Sequence, residues 1–418
     1  MSDTPSNEPQ IKPPVKPWLT IVGIGEDGFD GVAPTGQYLI ESAKIILGGA
    51  RHLDMLPDHI QADQWQWKSP LRDTMSDLES YVGTPICVLA TGDPMSYGIG
   101  VTLGRAFGFD ALSVIPAVGA FSHAAALMGW ALQDSDCFSL HGRALSLLNL
   151  HLHPDAKLLI LSANGDTPTQ VARILCENGF DQSTMTALAH LGGDKQQCTA
   201  HKAKDWGDTK VEDLNTLAIE LIAGPNAKWY SRHASLPDER YRHDGQLTKR
   251  EMRALTMAHL QPYPGALLWD VGSGCGSIAI EWMRAGGIAI AIESNHARAS
   301  MIAKNACALG VPGLKVIEGN APDVLGDLPR PDAIFIGGGM SVPGVIDTCW
   351  RALKPQGTFA ANAVTLEGEM KLAELHTNWG GELTRLQSSR LQPIGRLQGW
   401  KPFMPVTLYH TKKDIFGE

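Results

Sequence analysis

The chain has 418 residues, of which 44% are apolar, 19% charged and 7% aromatic, with 44 Gly and 26 Pro. This is the composition of a soluble globular protein, not of a collagen-like, disordered or disulfide-framed chain, and at roughly 100 to 200 residues per domain its length predicts two to four cores. The formal net charge of -9 is unevenly spread: residues 1–230 hold 15 Lys and Arg against 26 Asp and Glu, whereas residues 231–418 hold 20 against 18. So acidic a first half argues against a nucleic-acid partner, whose affinity rests largely on neutralised phosphates.

Met1 to Pro17 is polar, carries five prolines and lacks the apolar segment of a secretory signal, so 1–17 reads as a disordered tail and the cytoplasm is the default compartment. From Trp18 onward, short apolar runs predict strands at 18–25, 85–90, 112–116 and 157–162, with helices near 34–44, 71–82, 98–108, 119–130 and 167–178 between them. The uncharged run from Ala111 to Gln133 is long enough for a membrane span, but Pro116, Gly119, Ser122 and His123 interrupt it, and strand, turn and helix explain it better. Strands at 184–190, 196–203 and 216–223 predict a second, more mixed lobe, with the lobe boundary near Ala117. Residues 223–230 and the polar stretch through Gly245 read as a linker. Beyond it come a helix at 248–260, strand 266–271, helix 276–285, strand 287–292, helix 295–309, strands 314–317 and 332–336, helix 343–353 and strand 357–361. That alternation predicts a mostly parallel, doubly wound sheet. The seven Cys (87, 137, 176, 198, 275, 307 and 349) form no CxxC pair and read as mostly buried thiols in a reducing compartment, with no metal site.

The strongest chemical signal is Asp-Val-Gly-Ser-Gly-Cys-Gly (270–276), an apolar strand leading through a glycine-rich turn into a helix. Such a turn lets a ligand approach the backbone at the helix start. The next strand ends in Glu293, 23 residues after Asp270, where a carboxylate can accept hydrogen bonds from both ribose hydroxyls of an adenosyl group. The spacing departs from GxGxxG and no GKS or GKT phosphate loop is present, so S-adenosylmethionine outranks NAD and ATP as ligand. Asn-Ala-Pro-Asp (320–323) falls where an adenine contact is expected, although a plain turn is the other reading.

Six segments carry a resemblance: Thr248 to Leu255, Asp270 to Ser277, Glu318 to Pro322, Ile334 to Gly339, Leu353 to Thr358 and Asn362 to Glu367. Together, over nearly all of 235–412, they resemble the decarboxylating precorrin methyltransferases of cobalamin biosynthesis. In the first half, Val-Gly-Ile-Gly (22–25), Ala-Thr-Gly-Asp-Pro-Met (90–95), Ile115 to Ala126, Ser-Leu-His-Gly-Arg (139–143) and Asn164 to Leu175 resemble the two-lobed tetrapyrrole methylases, in the branch acting on C5 of a precorrin. The implied architecture is α/β: a tetrapyrrole methylase (class III methyltransferase) domain over 18–230, with lobes of about 18–117 and 118–230, then a Rossmann-like class I methyltransferase domain over 235–412. The implied reaction is methylation of C5 and C15 of a reduced precorrin-6, with loss of the C12 acetate as carbon dioxide.

By this resemblance S-adenosylmethionine binds at two sites and leaves as S-adenosylhomocysteine. The first site would involve Gly92, Asp93, Met95, Phe121, Ser122 and Ala163, and the second Thr248, Gly272, Ser273, Gly274, Cys275, Gly276, Glu293, Asn320 and Ala321. Gly337, Gly338, Gly339 and Asn362 would face the tetrapyrrole. Precorrin carboxylates call for cationic clamps, for which Arg143, Arg253 and Arg396 are candidates beside the alternative of structural ion pairs. His141 is a candidate general base or a structural histidine, and Glu281 reads as packing or capping. A homo-oligomer is expected. The competing readings are a related methylase with another acceptor, including cobalt-containing rings, an RNA methyltransferase, and a non-catalytic carrier of donor or corrinoid.

Overall fold

The computed structural model describes residues 17–233 and 235–414, so the expected tail lies, apart from Pro17, outside the described residues. The chain divides into two compact units. The first comprises residues up to Arg143 together with Asp155–Asn226, and the second comprises Ala144–Pro154 together with residues from Ala227 onward.

The first lobe of the first unit runs β1 (Leu19–Ile24), α1 (Pro34–Glu41), β2 (Ile45–Gly48), α2 (Ala50–Leu53), β3 (Asp63–Gln66), α3 (Leu71–Glu79), β4 (Ile86–Thr91), α4 (Ile99–Phe107) and β5 (Leu112–Ile115). Its strands are all parallel, in the order β3-β2-β4-β1-β5. Leu19, Ile21, Leu47 and Val88 pack on one face, and Val22, Ile24, Ile46 and Leu89 on the other. Successive side chains point to opposite faces, so a sheet covered on both sides requires the near-continuous apolar runs seen in β1 and β4. The second lobe holds α5 (Ala120–Met128), β6 (Asp136–Ser139), β7 (Lys157–Leu161), α6 (Thr167–Glu177), β8 (Thr184–Ala189), β9 (Gln197–Lys202) and β10 (Asn215–Glu220). In its sheet, ordered β6-β7-β10-β8-β9, only β6 and β7 pair parallel. Three four-residue strands, β2, β3 and β6, went unpredicted; β3 is a polar edge strand (Asp-Gln-Trp-Gln) with no apolar alternation to reveal it.

The second unit runs α7 (Arg250–Leu260), β11 (Leu267–Val271), α8 (Ser277–Arg284), β12 (Ile288–Glu293), α9 (His296–Ala308), β13 (Lys315–Glu318), β14 (Ala333–Ile336), α10 (Val345–Ala352), β15 (Thr358–Ala363), α11 (Leu366–Trp379), β16 (Glu382–Leu386), β17 (Ser389–Ile394), β18 (Leu397–Pro402) and β19 (Val406–Lys412). Five parallel strands, β13-β12-β11-β14-β15, form the predicted doubly wound sheet, and β19 and β16 extend it antiparallel. The strand order reverses beside β11, which places a ligand crevice at its carboxyl end. The side chain of Asn295 caps α9 through the Arg298 amide, and that of Thr365 caps α11 through the Gly368 amide. Among the described residues no helix is long and apolar enough to cross a membrane. The cysteines are free, but only Cys87, Cys275 and Cys349 are buried, which corrects the expectation of mostly buried thiols: Cys176, Cys198 and Cys307 lie on solvent-facing surface.

A buried charge network ties the entry of the second unit to its sheet. Arg253 on α7 is 0% exposed. Its Nε donates to Glu281 Oε1 of α8 at 2.6 Å, Nη1 to Asp238 at 3.4 Å and to the Thr248 carbonyl, and Nη2 to the Leu236 carbonyl. Glu281 also accepts from the Leu236 amide at 2.9 Å and the Tyr241 hydroxyl at 3.0 Å. Arg390 on β17 joins through Asp238 at 2.9 Å and Glu251 at 2.7 Å. Removing one member of such a set leaves a charge without water or partner. Arg253→Leu is therefore predicted to lower the stability of the second unit by about 3 to 5 kcal/mol in urea titrations, while Arg396→Ala changes it by less than about 0.5 kcal/mol. A loss under about 1 kcal/mol for Arg253→Leu would show that the network is not a keystone.

Candidate active sites

In the second unit the turn after β11 has positive φ at Gly272 (68°), Gly274 (62°) and Gly276 (85°), a region L side chains rarely adopt. Close approach compounds this: a Cβ on Gly272 would lie 2.6 Å from the Gly338 carbonyl oxygen, and one on Gly276 would lie 2.8 Å from Ile302. The bare backbone opens a cavity of about 720 Å³, bounded by Thr248, Lys249, Gly272–Gly274, Glu293, Asn320, Ala321, Gly337–Gly339 and Asn362. Glu293 ends β12 with both carboxylate oxygens engaged, Oε2 by the Gly274 amide at 2.8 Å and Oε1 by the Asn295 amide at 3.0 Å. Each oxygen keeps a further lone pair for a ligand hydroxyl.

Below the turn, Asp270 Oδ2 accepts from Ser273 Oγ at 2.6 Å and the Ala279 amide at 3.1 Å, while Oδ1 is buried without a partner. Burial pushes the Asp270 carboxyl from 3.8 to about 6, against the two hydrogen bonds that favour its ionised form. Asn362 on β15 donates to Thr256 Oγ1 at 3.2 Å and leaves its own Oδ1 buried and unpaired at the cavity wall. A glycine cradle and an acidic strand end fit an adenosyl ligand whose ribose hydroxyls donate hydrogen bonds, and the unpaired Asn362 acceptor is left for a second ligand.

The first unit has its own cavity, of about 1160 Å³, between the carboxyl ends of β1 and β4 and the second lobe. A Cβ on Gly23 would overlap the Gly92 carbonyl and lie 2.5 Å from the Ala117 nitrogen, so this glycine permits two loops to meet and does not form a phosphate loop. Gly92 has φ 56°, and Asp93 Oδ1 accepts from the Met95 amide at 2.8 Å, fixing the turn after β4. Ser162 Oγ and Asn215 Oδ1, on the second lobe, are buried, unpaired and part of the cavity wall. These orphaned groups fit a polar ligand threaded against backbone.

Two family models match the chain: the tetrapyrrole (corrin/porphyrin) methylases over residues 18–206 and the precorrin methyltransferase domain over residues 239–413. A Sinorhizobium protein named precorrin-6Y C(5,15)-methyltransferase [decarboxylating] is 45% identical over 415 residues, covering 99% of this chain and 100% of its own. The chain belongs to the precorrin-6Y C(5,15)-methyltransferase family. A cobalt-precorrin-7 C(5)-methyltransferase of Salmonella typhimurium is 30% identical over 43% of this chain and 88% of its own. The crystal structure of the C-terminal domain of the Rhodobacter capsulatus precorrin-6Y C5,15-methyltransferase is 43% identical, with a TM-score of 0.42, over 44% of this chain and 100% of that one.

Within this member of the family, Gly92, Asp93, Met95, Phe121, His141, Arg143 and Ala163 meet in the first cavity. Thr248, Gly272, Ser273, Gly274, Glu293, Asn320, Ala321, Gly337, Gly338, Gly339 and Asn362 meet in the second. Five expectations are corrected. Arg253 is sealed in the buried network and cannot clamp a substrate. Arg396 sits at the turn of the β17–β18 hairpin, seven residues before Phe403 of the cavity wall along the chain, or roughly 20 Å of extended strand away. Cys275 is buried, its thiol pushed up to about 11 by burial and its carbonyl taken by Asn305 at 2.9 Å, and Gly276 packs on Ile302; neither reaches the cavity wall. Ser122 points to solvent from α5, while its neighbours Phe121 and His123 face the cavity.

Residues that sequence reasoning missed include Lys249, Phe403 and Met404 in the second cavity and Tyr97, Arg105 and Asn215 in the first. A cross-lobe set was missed too: Glu26 bonds His190 Nδ1 at 2.6 Å and pairs with Arg51, whose Nη2 donates to Thr91 Oγ1 at 3.0 Å. Beside it His52, pushed down to about 4 by burial and by Arg51, contacts Thr91 Oγ1 at 2.9 Å as a neutral ring. No local pattern links residues 164 apart, as Glu26 and His190 are.

The Asp270 shift has a signed consequence. Its folded value exceeds the unfolded one, so the penalty for ionising it is absent below about pH 4 and complete above about pH 6. Asp270→Asn removes that penalty. Its stability relative to the unchanged chain is predicted to rise by about 3 kcal/mol between pH 4 and pH 7 in urea titrations. A pH-independent difference would contradict a buried, ionisable Asp270.

Proposed function

We propose that this chain methylates C15 and C5 of a reduced precorrin-6 and removes its C12 acetate as carbon dioxide, giving precorrin-8 in cobalamin biosynthesis. The second unit would carry out the C15 methylation with decarboxylation, and the first unit the C5 methylation. The observation that carries the reading is the presence of a separate glycine-cradled cavity in each unit, the second within the span of one methyltransferase family model and the first built mostly from residues that the other spans. S-adenosylmethionine, when bound in each, supplies a methyl group on a sulfonium centre.

In the second unit Gly272–Gly274 and Glu293 would hold the adenosyl moiety, with Asn320 and Ala321 against its base. Lys249 lies on the cavity wall with its ammonium 5.8 Å from the Phe403 ring centroid, and supplies the cation that Arg253 cannot. Bond formation at C15 brings one positive charge onto the ring. The electron pair left when the C12 acetate departs as carbon dioxide neutralises it, so the conjugated ring itself is the electron sink. Asn362, with its unpaired acceptor, would orient a pyrrole N–H.

In the first unit C5 gains a methyl and must lose its hydrogen as a proton, which His141 on the cavity wall would accept. Arg105 and Arg143 face the same cavity for the ring's carboxylates. Alignment of methyl and carbon supplies most of the acceleration in this account, since well-oriented reactants reach effective molarities on the order of 10⁵ to 10⁸ M. A cytoplasmic homo-oligomer is part of the reading. The exposed apolar side chains Leu391, Ile394, Leu397 and Trp400 of the β17–β18 hairpin support self-association.

Product mass tests the reading. The whole chain, given S-adenosylmethionine and reduced metal-free precorrin-6, is predicted to add two methyl groups and release one carbon dioxide. Gly274→Arg should abolish C15 methylation and carbon dioxide release together, and Gly92→Val should abolish C5 methylation. At least one of these variants keeps one methylation; loss of both methylations in each folded variant contradicts two separate donor sites.

A further inference from the structure

Tyr97 lies in the turn between β4 and α4 with φ 54°, in the left-handed region that bulky residues seldom occupy. The turn enforces it: a Cβ on Gly98 would come 2.5 Å from the Pro94 carbonyl oxygen, and one on Gly100 would come 2.8 Å from the same atom. Backbone cost of this kind persists where the surrounding structure over-determines it, and it gathers at ligand sites. Core packing does not account for it, because the Tyr97 side chain is 47% exposed, yet it forms part of the first cavity's wall.

The second lobe meets Tyr97 three times. The Phe121 ring stands edge-on, with centroids 6.0 Å apart and planes at 74°. The Tyr97 hydroxyl donates to the Cys137 carbonyl at 3.4 Å. The Arg143 guanidinium lies over the Tyr97 ring, 4.8 Å from its centroid. Arg143 forms no ion pair among the described residues, and neither does Arg105 on the same wall. Two guanidinium groups without carboxylate partners exceed what the single carboxylate of an amino-acid-derived donor requires. They match a ring that carries several.

We propose that Tyr97, with Arg143 stacked on it, is the platform that seats the precorrin acceptor in the first unit. The exposed part of the ring would stack on a conjugated pyrrole face, and Arg143 would bind a peripheral carboxylate. This rests on the reading that the first unit methylates C5 of a precorrin. The strain at Tyr97 then serves acceptor binding and adds nothing to stability.

The test uses the full chain carrying Tyr97→Asn or Tyr97→Phe, with methylation at C5 and at C15 read from the same reaction. Asn tolerates the left-handed backbone, so Tyr97→Asn should melt at or above the temperature of the unchanged chain. The acceptor KM for C5 methylation should nevertheless rise about tenfold or more, through loss of stacking and cation contacts. The KM for S-adenosylmethionine and the C15 reaction should stay the same, and Tyr97→Phe should restore the acceptor KM to within about twofold, since it keeps the ring. An unchanged acceptor KM, a raised KM for S-adenosylmethionine instead, or a loss that follows a lowered melting temperature overturns the platform. Absence of C5 methylation by the unchanged chain overturns the underlying reading itself, which C15 methylation in the same tube separates from inactive protein.

Discussion

In both units a glycine at the carboxyl end of a central parallel strand lets two loops touch without side chains between them. Gly23 follows Val22 of β1 and leaves room for the Gly92 carbonyl; Gly272 follows β11 and leaves room for the Gly338 backbone. Everything functional is arranged around these two contacts. The crevice at the strand ends is lined by backbone where the loops converge, so a ligand meets amides and carbonyls directly and side chains only at its periphery. A Cβ at either glycine would force the loops apart, and at Gly272 it would also intrude on the cavity wall.

Charge is sorted by burial around that frame. Arg253, Glu281, Asp238 and Tyr241 are withdrawn from water and satisfied by one another, which fixes α7 against α8 and the approach to the glycine turn. Lys249, four residues earlier, stands at the cavity wall instead. In the first unit Glu26 is engaged by Arg51 and His190 across the lobes, while Arg105 and Arg143 are left to the cavity. Cations meeting carboxylates of the protein set its shape, and cations facing open space are those able to meet carboxylates of a substrate.

Much of this was legible in the chain before any coordinates. The parallel strands of both sheets announce themselves as apolar runs because they are buried on both faces, and the glycine turn at 272–276 with Glu293 after the next strand points to the wall of the second unit's cavity. The polar edge strand β3 and the late strands β16 to β19 escaped, since neither apolar alternation nor a familiar α/β rhythm accompanies them. Of the two readings open for Arg253, the structural ion pair holds, for a physical reason that the sequence does contain: it shares a helical stripe with Thr256 and Leu260, at the spacing that buries a face. Tyr97, Arg105 and the Glu26–His190 pair had no such signal, because folding alone brings Tyr97, Arg105 and Glu26 to one cavity and joins Glu26 to His190.

Two independent donor sites in one chain would bind two molecules of cofactor product, and a count of bound ligand decides between two and one. Isothermal titration of the whole chain with S-adenosylhomocysteine should reach two equivalents per chain, falling to one in Gly274→Arg. Saturation at a single equivalent by the unchanged chain, or two equivalents retained by Gly274→Arg, would contradict the account.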